Sequence, residues 1–244
     1  MRKPYRNPYF RFKQFAIRHD LCAMKVGTDG VLLGAWARAD EACAQKPFRA
    51  LDIGTGSGLI AMMLAQRYSN ATIYGIDIDE ASALQARDNV REAGMEGRIS
   101  IGLTDFTAMA ADDGSYDLIV SNPPFYAEDT VSGNTARDNA RHCSSLPFRD
   151  LISGASRLLS QEGLLAVVIP HSAAQGFIAL CAEHKLYLLR RTNVRSTEKK
   201  AFNRVLLAFG KTRTEETETD TLTLYDEGNK RSAAYERLTH DFYL

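Results

Sequence analysis

The sequence predicts an α/β fold: a seven-stranded, mainly parallel sheet with helices on both faces, its last strand antiparallel, and short additions at both ends. Three observations carry this. From residue 48 onward, short apolar runs alternate with amphipathic stretches, the order from which parallel βαβ units are built. The first apolar run ends in a glycine-rich turn that opens a helix. The last two apolar runs have no helix between them to carry a parallel crossover, so the final strand returns antiparallel. In order, residues 48–53 are a short apolar strand and 59–68 carry helical spacing. Residues 72–78 are the next strand and 81–93 the next helix, with Asp79 placed as its N-cap. Strands follow at 99–103 and 116–121, then a helix at 148–159, a strand at 164–169 and a helix at 173–183. Strands at 186–191 and 204–209 close the series.

Three parts lie outside that repeat. Residues 1–35 form a basic, aromatic arm ahead of the core at 48–210. Residues 124–146 form a long polar segment after two prolines, and a loop of that length is usually functional or disordered. Residues 212–244 form an extension with an acidic linker, a strand at 221–225 and a short helix near 235–238.

With 244 residues, 45% of them hydrophobic and 25% charged, the chain is expected to be one soluble domain. No apolar run approaches the roughly 18 residues of a membrane span, and charges interrupt the N-terminus as they do not in a signal peptide. Cys22, Cys43, Cys143 and Cys181 are scattered, so no metal site is expected, and isolated thiols point to the cytoplasm. The net charge is zero but unevenly laid out. Residues 1–25 hold seven Lys or Arg against Asp20, and residues 190–213 hold eight against Glu198. A single basic run is most simply a solvated surface. Two of them, with Tyr5, Tyr9, Phe10, Phe12 and Phe15 among the first, point to RNA.

The stretch Leu51-Asp52-Ile53-Gly54-Thr55-Gly56-Ser57-Gly58 is a strand, a glycine turn and a helix start. Glycine is needed where backbone turns sharply or approaches a ligand closely. The loop lacks the Gly-Lys-Ser/Thr of a triphosphate cradle, and its third glycine comes one residue early for the dinucleotide pattern. By itself it is weak evidence. Asp77, at the end of the second strand, adds an acid able to accept from both ribose hydroxyls of an adenosyl ligand, with Ile78 beside it. Asp105, followed by Phe106, ends the third strand; it is either an acceptor for an adenine amine or a simple turn acid. Together these positions resemble the class I, Rossmann-like, S-adenosyl-L-methionine-dependent methyltransferases. That resemblance implies that Asp52, Gly54, Thr55 and Gly56 lie against the methionine part of the cofactor. It gives Asp77 and Ile78 the ribose side, and Asp105 and Phe106 the adenine.

Asn122-Pro123-Pro124-Phe125 follows the fourth strand. Two prolines end a strand and stiffen the backbone, but a plain turn needs neither the asparagine nor the aromatic. An amine conjugated to an aromatic ring is a poor nucleophile because its lone pair is delocalised. If the Asn122 side-chain oxygen and the Pro123 carbonyl accept its two N–H groups, the nitrogen becomes more tetrahedral and its lone pair is freed. Phe125 can stack on the base. No strong general base is required, since well-oriented reactants recover roughly 7–11 kcal/mol of barrier. Members of the resembled family with this motif methylate adenine N6, cytosine N4, guanine N2 or a glutamine amide.

The N-terminal residues Phe12-Lys13-Gln14-Phe15 and Met24-Lys25-Val26-Gly27-Thr28-Asp29-Gly30, with Asn203-Arg204-Val205-Leu206-Leu207, Ala140-Arg141-His142 and the terminal Asp241-Phe242-Tyr243-Leu244, narrow the choice. They resemble the bacterial tRNA1(Val) adenine-37 N6-methyltransferase family. The resemblance implies a valine tRNA anticodon loop as substrate. It also implies that residues 25–30 close over the cofactor, with Lys25, Thr28 and Asp29 near its polar end and Asn122 beside it. Read alone, Thr28-Asp29 would merely cap a helix. Arg11, Lys13, Arg137, Arg141, Arg195 and Arg204 are the expected RNA contacts, and the enzyme is expected to be a monomer without a stable protein partner or a membrane. The rival readings are a ribosomal RNA guanine N2-methyltransferase, a protein glutamine methyltransferase, and a non-catalytic RNA-binding protein on this fold.

Overall fold

In the computed structural model the described residues are 9–22, 25–39, 45–109, 114–123 and 146–244. A hairpin of β1 (Tyr9–Arg11) and β2 (Ala16–Arg18) leads to α1 (Thr28–Trp36). The core continues with β3 (Phe48–Ile53), α2 (Leu59–Arg67), β4 (Ala71–Asp77), α3 (Glu80–Glu92), β5 (Ile99–Leu103) and β6 (Tyr116–Ser121). Then come α4 (Phe148–Leu158), β7 (Leu159–Pro170), α5 (Ala174–Glu183), β8 (Tyr187–Arg195), β9 (Arg204–Gly210), β10 (Glu218–Thr223) and α6 (Ala233–Thr239). The long segment predicted after Pro123, with Pro124, Phe125, Arg137, Arg141 and His142, lies outside the described residues, as do Tyr5, Cys43 and Cys143.

Apart from the β1-β2 hairpin, the strands form one sheet in the order β10-β8-β9-β7-β6-β3-β4-β5. β9 runs antiparallel to both its neighbours, as expected from the missing helix before it. The sheet has eight strands rather than seven, because β10 of the extension pairs in parallel with β8. Only Leu222 of β10 is buried, so backbone pairing rather than an apolar stripe recruits this edge.

Period-two alternation divides the apolar residues between two cores. Ala50, Leu118, Val120, Ala166, Val168, Leu206 and Ala208 face α1, α2 and the terminal segments. Leu51, Ile53, Ile119, Leu165, Val167, Val205, Leu207 and Phe209 face α4 and α5. Strands buried on both faces are why these runs read as continuous hydrophobic stretches. Among the described residues no helix is long and apolar enough to cross a membrane.

Two rings of the aromatic arm have a different use from the one its composition suggested. Phe12 and Phe15 are buried, and Phe12 stacks on Tyr243 with ring centroids 5.9 Å apart. The Lys13 backbone N–H donates to the Phe242 carbonyl (2.8 Å). Phe12 and Phe15 are thus spent on packing, whereas Tyr9 is 38% exposed.

The contact of α1 with α2 fixes where the N-terminal segment meets the core. A Cβ on Gly34 would lie 2.6 Å from Met63 Sδ, and one on Gly30 would lie 3.1 Å from Leu59 Cδ2. Small residues on α1 therefore let the two helices touch and bring the start of α1 against the start of α2. Gly34→Val is expected to destabilise the protein by about 1–3 kcal/mol through overpacking. Denaturant melts check this; a midpoint equal to wild type would show that Met63 moves aside without cost.

Candidate active site

The C-terminal ends of the parallel strands gather the predicted residues along one edge of the sheet, where open α/β sheets bind ligands. Ile53 pairs with Ile76 on one side and Ser121 on the other, and Asp77 pairs with Leu103. The glycine turn after β3, Asp77 and Ile78 after β4, Asp105 after β5 and Asn122 after β6 thus lie along neighbouring strand ends. Adjacent strands are spaced by roughly 5 Å.

Gly54 and Gly56 have φ of +70° and +56°, and a Cβ on either would meet nothing within 4 Å. Their backbone therefore bounds open space. The turn is pinned beneath, where the Gly54 and Thr55 N–H groups both donate to the Ile76 carbonyl (2.9 Å each). Asp77 is half-buried: Oδ2 accepts from the Gly56 N–H (2.8 Å) and Oδ1 from the Asp79 N–H (3.0 Å). Burial raises its pKa above the ordinary carboxylate value, and those two hydrogen bonds act against the rise. Asp79 is the N-cap expected from sequence, accepting from the Ser82 N–H.

Asp52 is fully buried, and its Oδ2 accepts from Thr55 Oγ1 (2.7 Å) and the Ala61 N–H (3.2 Å). Those bonds tie the glycine turn to the first turn of α2. Burial pushes its pKa up to about 7, only partly opposed by the bonds from Thr55 and Ala61. The folded protein thus takes up a proton near pH 7 that the unfolded chain takes up only near 3.8. Bound protons favour the folded state across that interval, so the contribution of Asp52 to stability improves as pH falls from about 7 towards 4. Asp52→Asn lacks this proton. The stability of wild type relative to Asp52→Asn is expected to rise as pH is lowered through that window, measured by denaturant titration; a constant difference would refute the raised pKa.

Two predicted cofactor positions separate on exposure. Ile78 is 52% exposed and offers an apolar face at the strand end. Phe106 is buried at 7%, and a Cβ on Gly154 of α4 would lie 2.6 Å from its ring. Phe106 is therefore core packing under the site. Asp105 is exposed, and its Oδ1 accepts from the Thr107 N–H and Oγ1 (2.8 Å each), capping a short 3-10 turn at Phe106–Ala108. Asn122 is half-buried and Pro123 buried. Ser121 Oγ donates to the Ile53 carbonyl (3.0 Å), tying the end of β6 to the strand that carries the glycine turn.

The N-terminal segment reaches this edge through α1. Gly27 is the N-cap, with no side-chain hydrogen bond, so Thr28 and Asp29 stand inside the first turn and do not cap it. Asp29 is paired with Arg204 of β9, Oδ2 to Nε at 2.8 Å. Lys25 and Thr28 are exposed. The Val26 N–H donates to His19 Nδ1 (3.4 Å); burial, then the charge of Lys25, hold the His19 pKa below its usual value, which keeps that nitrogen an acceptor.

Several residues that build the site were missed by sequence reasoning. Asn89 of α3 donates to the Arg18 and Ser57 carbonyls (2.8 Å each) and accepts from the Arg18 N–H (2.9 Å). Gln85, one turn earlier, accepts from the Leu21 N–H (2.7 Å). They lash the segment after β2 to the core beside the glycine turn. The available signal was two amides four residues apart on the same face as Ala86 and Val90. At the other end of α1, Arg67 donates to the Ala35 and Ala37 carbonyls and Arg190 to that of Trp36. Cations at a helix C-terminus are favourable.

Those contacts remove Arg190 from the basic run at 190–213 that pointed to RNA, and show where the expected RNA contacts stand. Arg190 is buried, 3.5 Å from the Trp36 ring centroid, and unavailable to a phosphate. Lys13 is exposed, yet its Nζ donates to the His240 carbonyl (2.5 Å). Arg204 is held to Asp29, and Arg195 donates to Thr223 Oγ1 and the Glu198 carbonyl. Arg11 is exposed on β1.

An open glycine cradle, an acid at each of the next two strand ends and an exposed apolar side chain between them fit an adenosyl ligand laid across the edge. Comparison with known proteins agrees. Residues 40–179 match the family model described as methyltransferase small domain. A solved Agrobacterium tumefaciens protein described as a predicted O-methyltransferase superposes with TM-score 0.68 at 20% identity, covering 88% of this chain and 96% of that one. At that identity the likeness speaks for the fold. A relative from Flavobacterium johnsoniae is 42% identical over 238 residues, covering 96% of this chain and 99% of its own. One from Aeromonas salmonicida is 44% identical over 245 residues, covering 98% of each. Both are named tRNA1(Val) (adenine(37)-N6)-methyltransferase. With near-complete coverage at this identity, the chain belongs to the tRNA1(Val) (adenine(37)-N6)-methyltransferase family.

Proposed function

We propose that this protein transfers a methyl group from S-adenosyl-L-methionine to N6 of adenine 37, next to the anticodon of tRNA1(Val). The observation that carries the reading is the position of Asn122-Pro123 at the end of β6, tied by Ser121 to the strand that ends in the glycine cradle. When bound, the cofactor supplies an electrophilic methyl already activated by a positive sulfonium. The chain supplies position: Gly54 and Gly56 leave room for the ligand, Asp77 accepts from its ribose, and Asp105 from its adenine amine. Asn122 and Pro123 accept the two N–H groups of the target amine, and Phe125 stacks on its base. Lys25, Thr28 and Asp29 close the polar end. A base beside an anticodon is already in a loop, so presenting it costs less than the few kcal/mol of flipping a paired base.

The same reading makes the whole chain one methyltransferase unit, working in the cytoplasm as a monomer. Arg11 and Arg195, with Arg137 and Arg141, are taken as phosphate contacts; Arg204 serves chiefly to hold Asp29. The test is incubation with labelled S-adenosylmethionine and total tRNA from a strain lacking the enzyme, followed by nucleoside analysis. Label in N6-methyladenosine is expected. Label only in N2-methylguanosine or in protein would overturn the substrate, and none at all would overturn the enzyme reading.

A further inference from the structure

We propose that Phe202, set among Arg195, Arg191 and His171, is a stacking platform for an unpaired base of the RNA substrate near the reacting one. The inference rests on the tRNA reading above and adds a subsite to it. Phe202 is half-exposed and belongs to neither apolar core. Its neighbours are cationic or polar. The Arg195 guanidinium carbon lies 5.5 Å from its ring centroid, and the His171 ring centroid is also 5.5 Å away. Arg191 extends the cluster, Nη2 standing 3.4 Å from His171 Nε2. Among the described residues neither Arg191 nor Arg195 has a carboxylate within ion-pair distance, whereas nearby Lys199 is paired with Glu227. An aromatic face flanked by cations without acid partners is the pairing that single-stranded nucleic acid recognises: base on ring, phosphate on guanidinium.

The platform is also rigid and well placed. The Asn203 N–H donates to the Val194 carbonyl (3.0 Å), the His171 N–H to the Asn203 carbonyl (3.2 Å), and the Lys200 N–H to the Thr197 carbonyl (3.1 Å). A fixed ring loses little freedom when a base lands on it. β7 lies between β6 and β9; Ser121 pairs with Val167 and Pro170 with Arg204. Asn122 is level with Val168 and Leu206, so Phe202 stands two strand spacings, roughly 10 Å, across the sheet and about four residues, roughly 13 Å, further along the strand direction, on the same edge. That separation suits an unpaired base a short way along the RNA strand from the one held at Asn122.

The test is the affinity of an anticodon stem–loop RNA by fluorescence anisotropy, alongside kcat and KM for methylation. Phe202→Ala is expected to weaken RNA binding by about 5- to 150-fold, the range for removing one base–aromatic stack, and to raise KM while the affinity for S-adenosylmethionine stays at the wild-type value. Phe202→Trp restores binding. Phe202→Leu keeps apolar bulk without a π face and is expected to bind as weakly as alanine. Arg195→Gln lowers the slope of log affinity against log salt by roughly 0.7. If Phe202→Ala binds RNA as wild type does, or Phe202→Leu restores binding fully, the ring is loop packing and the platform is refuted. These outcomes are separate from those of the methylation reading. Wild-type protein that binds the RNA through Phe202 but does not methylate it removes the activity and leaves the platform. Methylation insensitive to Phe202 does the reverse.

Discussion

Asn122→Ala is expected to lower kcat for tRNA methylation by at least roughly 100-fold and to leave the affinity for S-adenosylmethionine within a few-fold of wild type. The target amine donates its lone pair into the adenine ring and is a poor nucleophile until its N–H groups are held out of that conjugation. In the proposed reading two acceptors do this, the Asn122 amide oxygen and the Pro123 carbonyl. Both sit on backbone that cannot drift, because Pro123 is buried and Ser121 Oγ anchors the strand end to Ile53. Alanine removes one acceptor and leaves the fold of the strand end intact. The proposed cofactor residues at the ends of β3, β4 and β5 are untouched, so binding and turnover should separate. Single-turnover kinetics with calorimetry of cofactor binding measures both. Loss of the two together would give Asn122 a structural role, and a near-wild-type kcat would remove it from the reaction.

Asp77→Ala should act on the other half of the problem, weakening S-adenosylmethionine by at least roughly 100-fold. Hydrogen bonds to a charged group contribute about 1.5–3 kcal/mol each, and a ribose offers two hydroxyl donors. The Asp77 oxygens already accept from the Gly56 and Asp79 N–H groups, which aim the carboxylate along the edge and keep the glycine turn in its positive-φ shape. Removing it loses the proposed ribose contacts and leaves the Gly56 N–H without its Asp77 partner. Asp77→Asn keeps the shape and one acceptor, so an intermediate affinity is expected. Calorimetry decides; an alanine variant that binds within a few-fold of wild type would show that Asp77 serves the turn alone.

That the candidate residues would lie together was legible in the sequence for one reason. Gly54, Gly56, Asp77, Asp105 and Asn122 each fall at the end of an apolar run, and parallel topology brings all such ends to one edge. Where the reading changed, the deciding partner was far away in the chain. Arg190 sits in a basic run but is captured by Trp36, 154 residues away; Arg204 by Asp29, 175 away; Lys13 by the His240 carbonyl, 227 away. Phe106 follows a strand-end acid just as a ring-packing residue would, yet the gap left by Gly154 of α4 draws it into the core.

The sequence by itself determined the α/β order, the antiparallel return of β9, the glycine cradle with its acids and the Asn-Pro pair, because strand period, turn chemistry and cap preference act over a few residues. Only the tertiary structure decided that the aromatic arm packs on the C-terminus, that β10 extends the sheet, and which basic side chains remain open to a phosphate. A cation or an aromatic ring has the same local signal whether it is solvated, buried or binding; burial and the nearest partner distinguish these, and both arise only when distant segments meet.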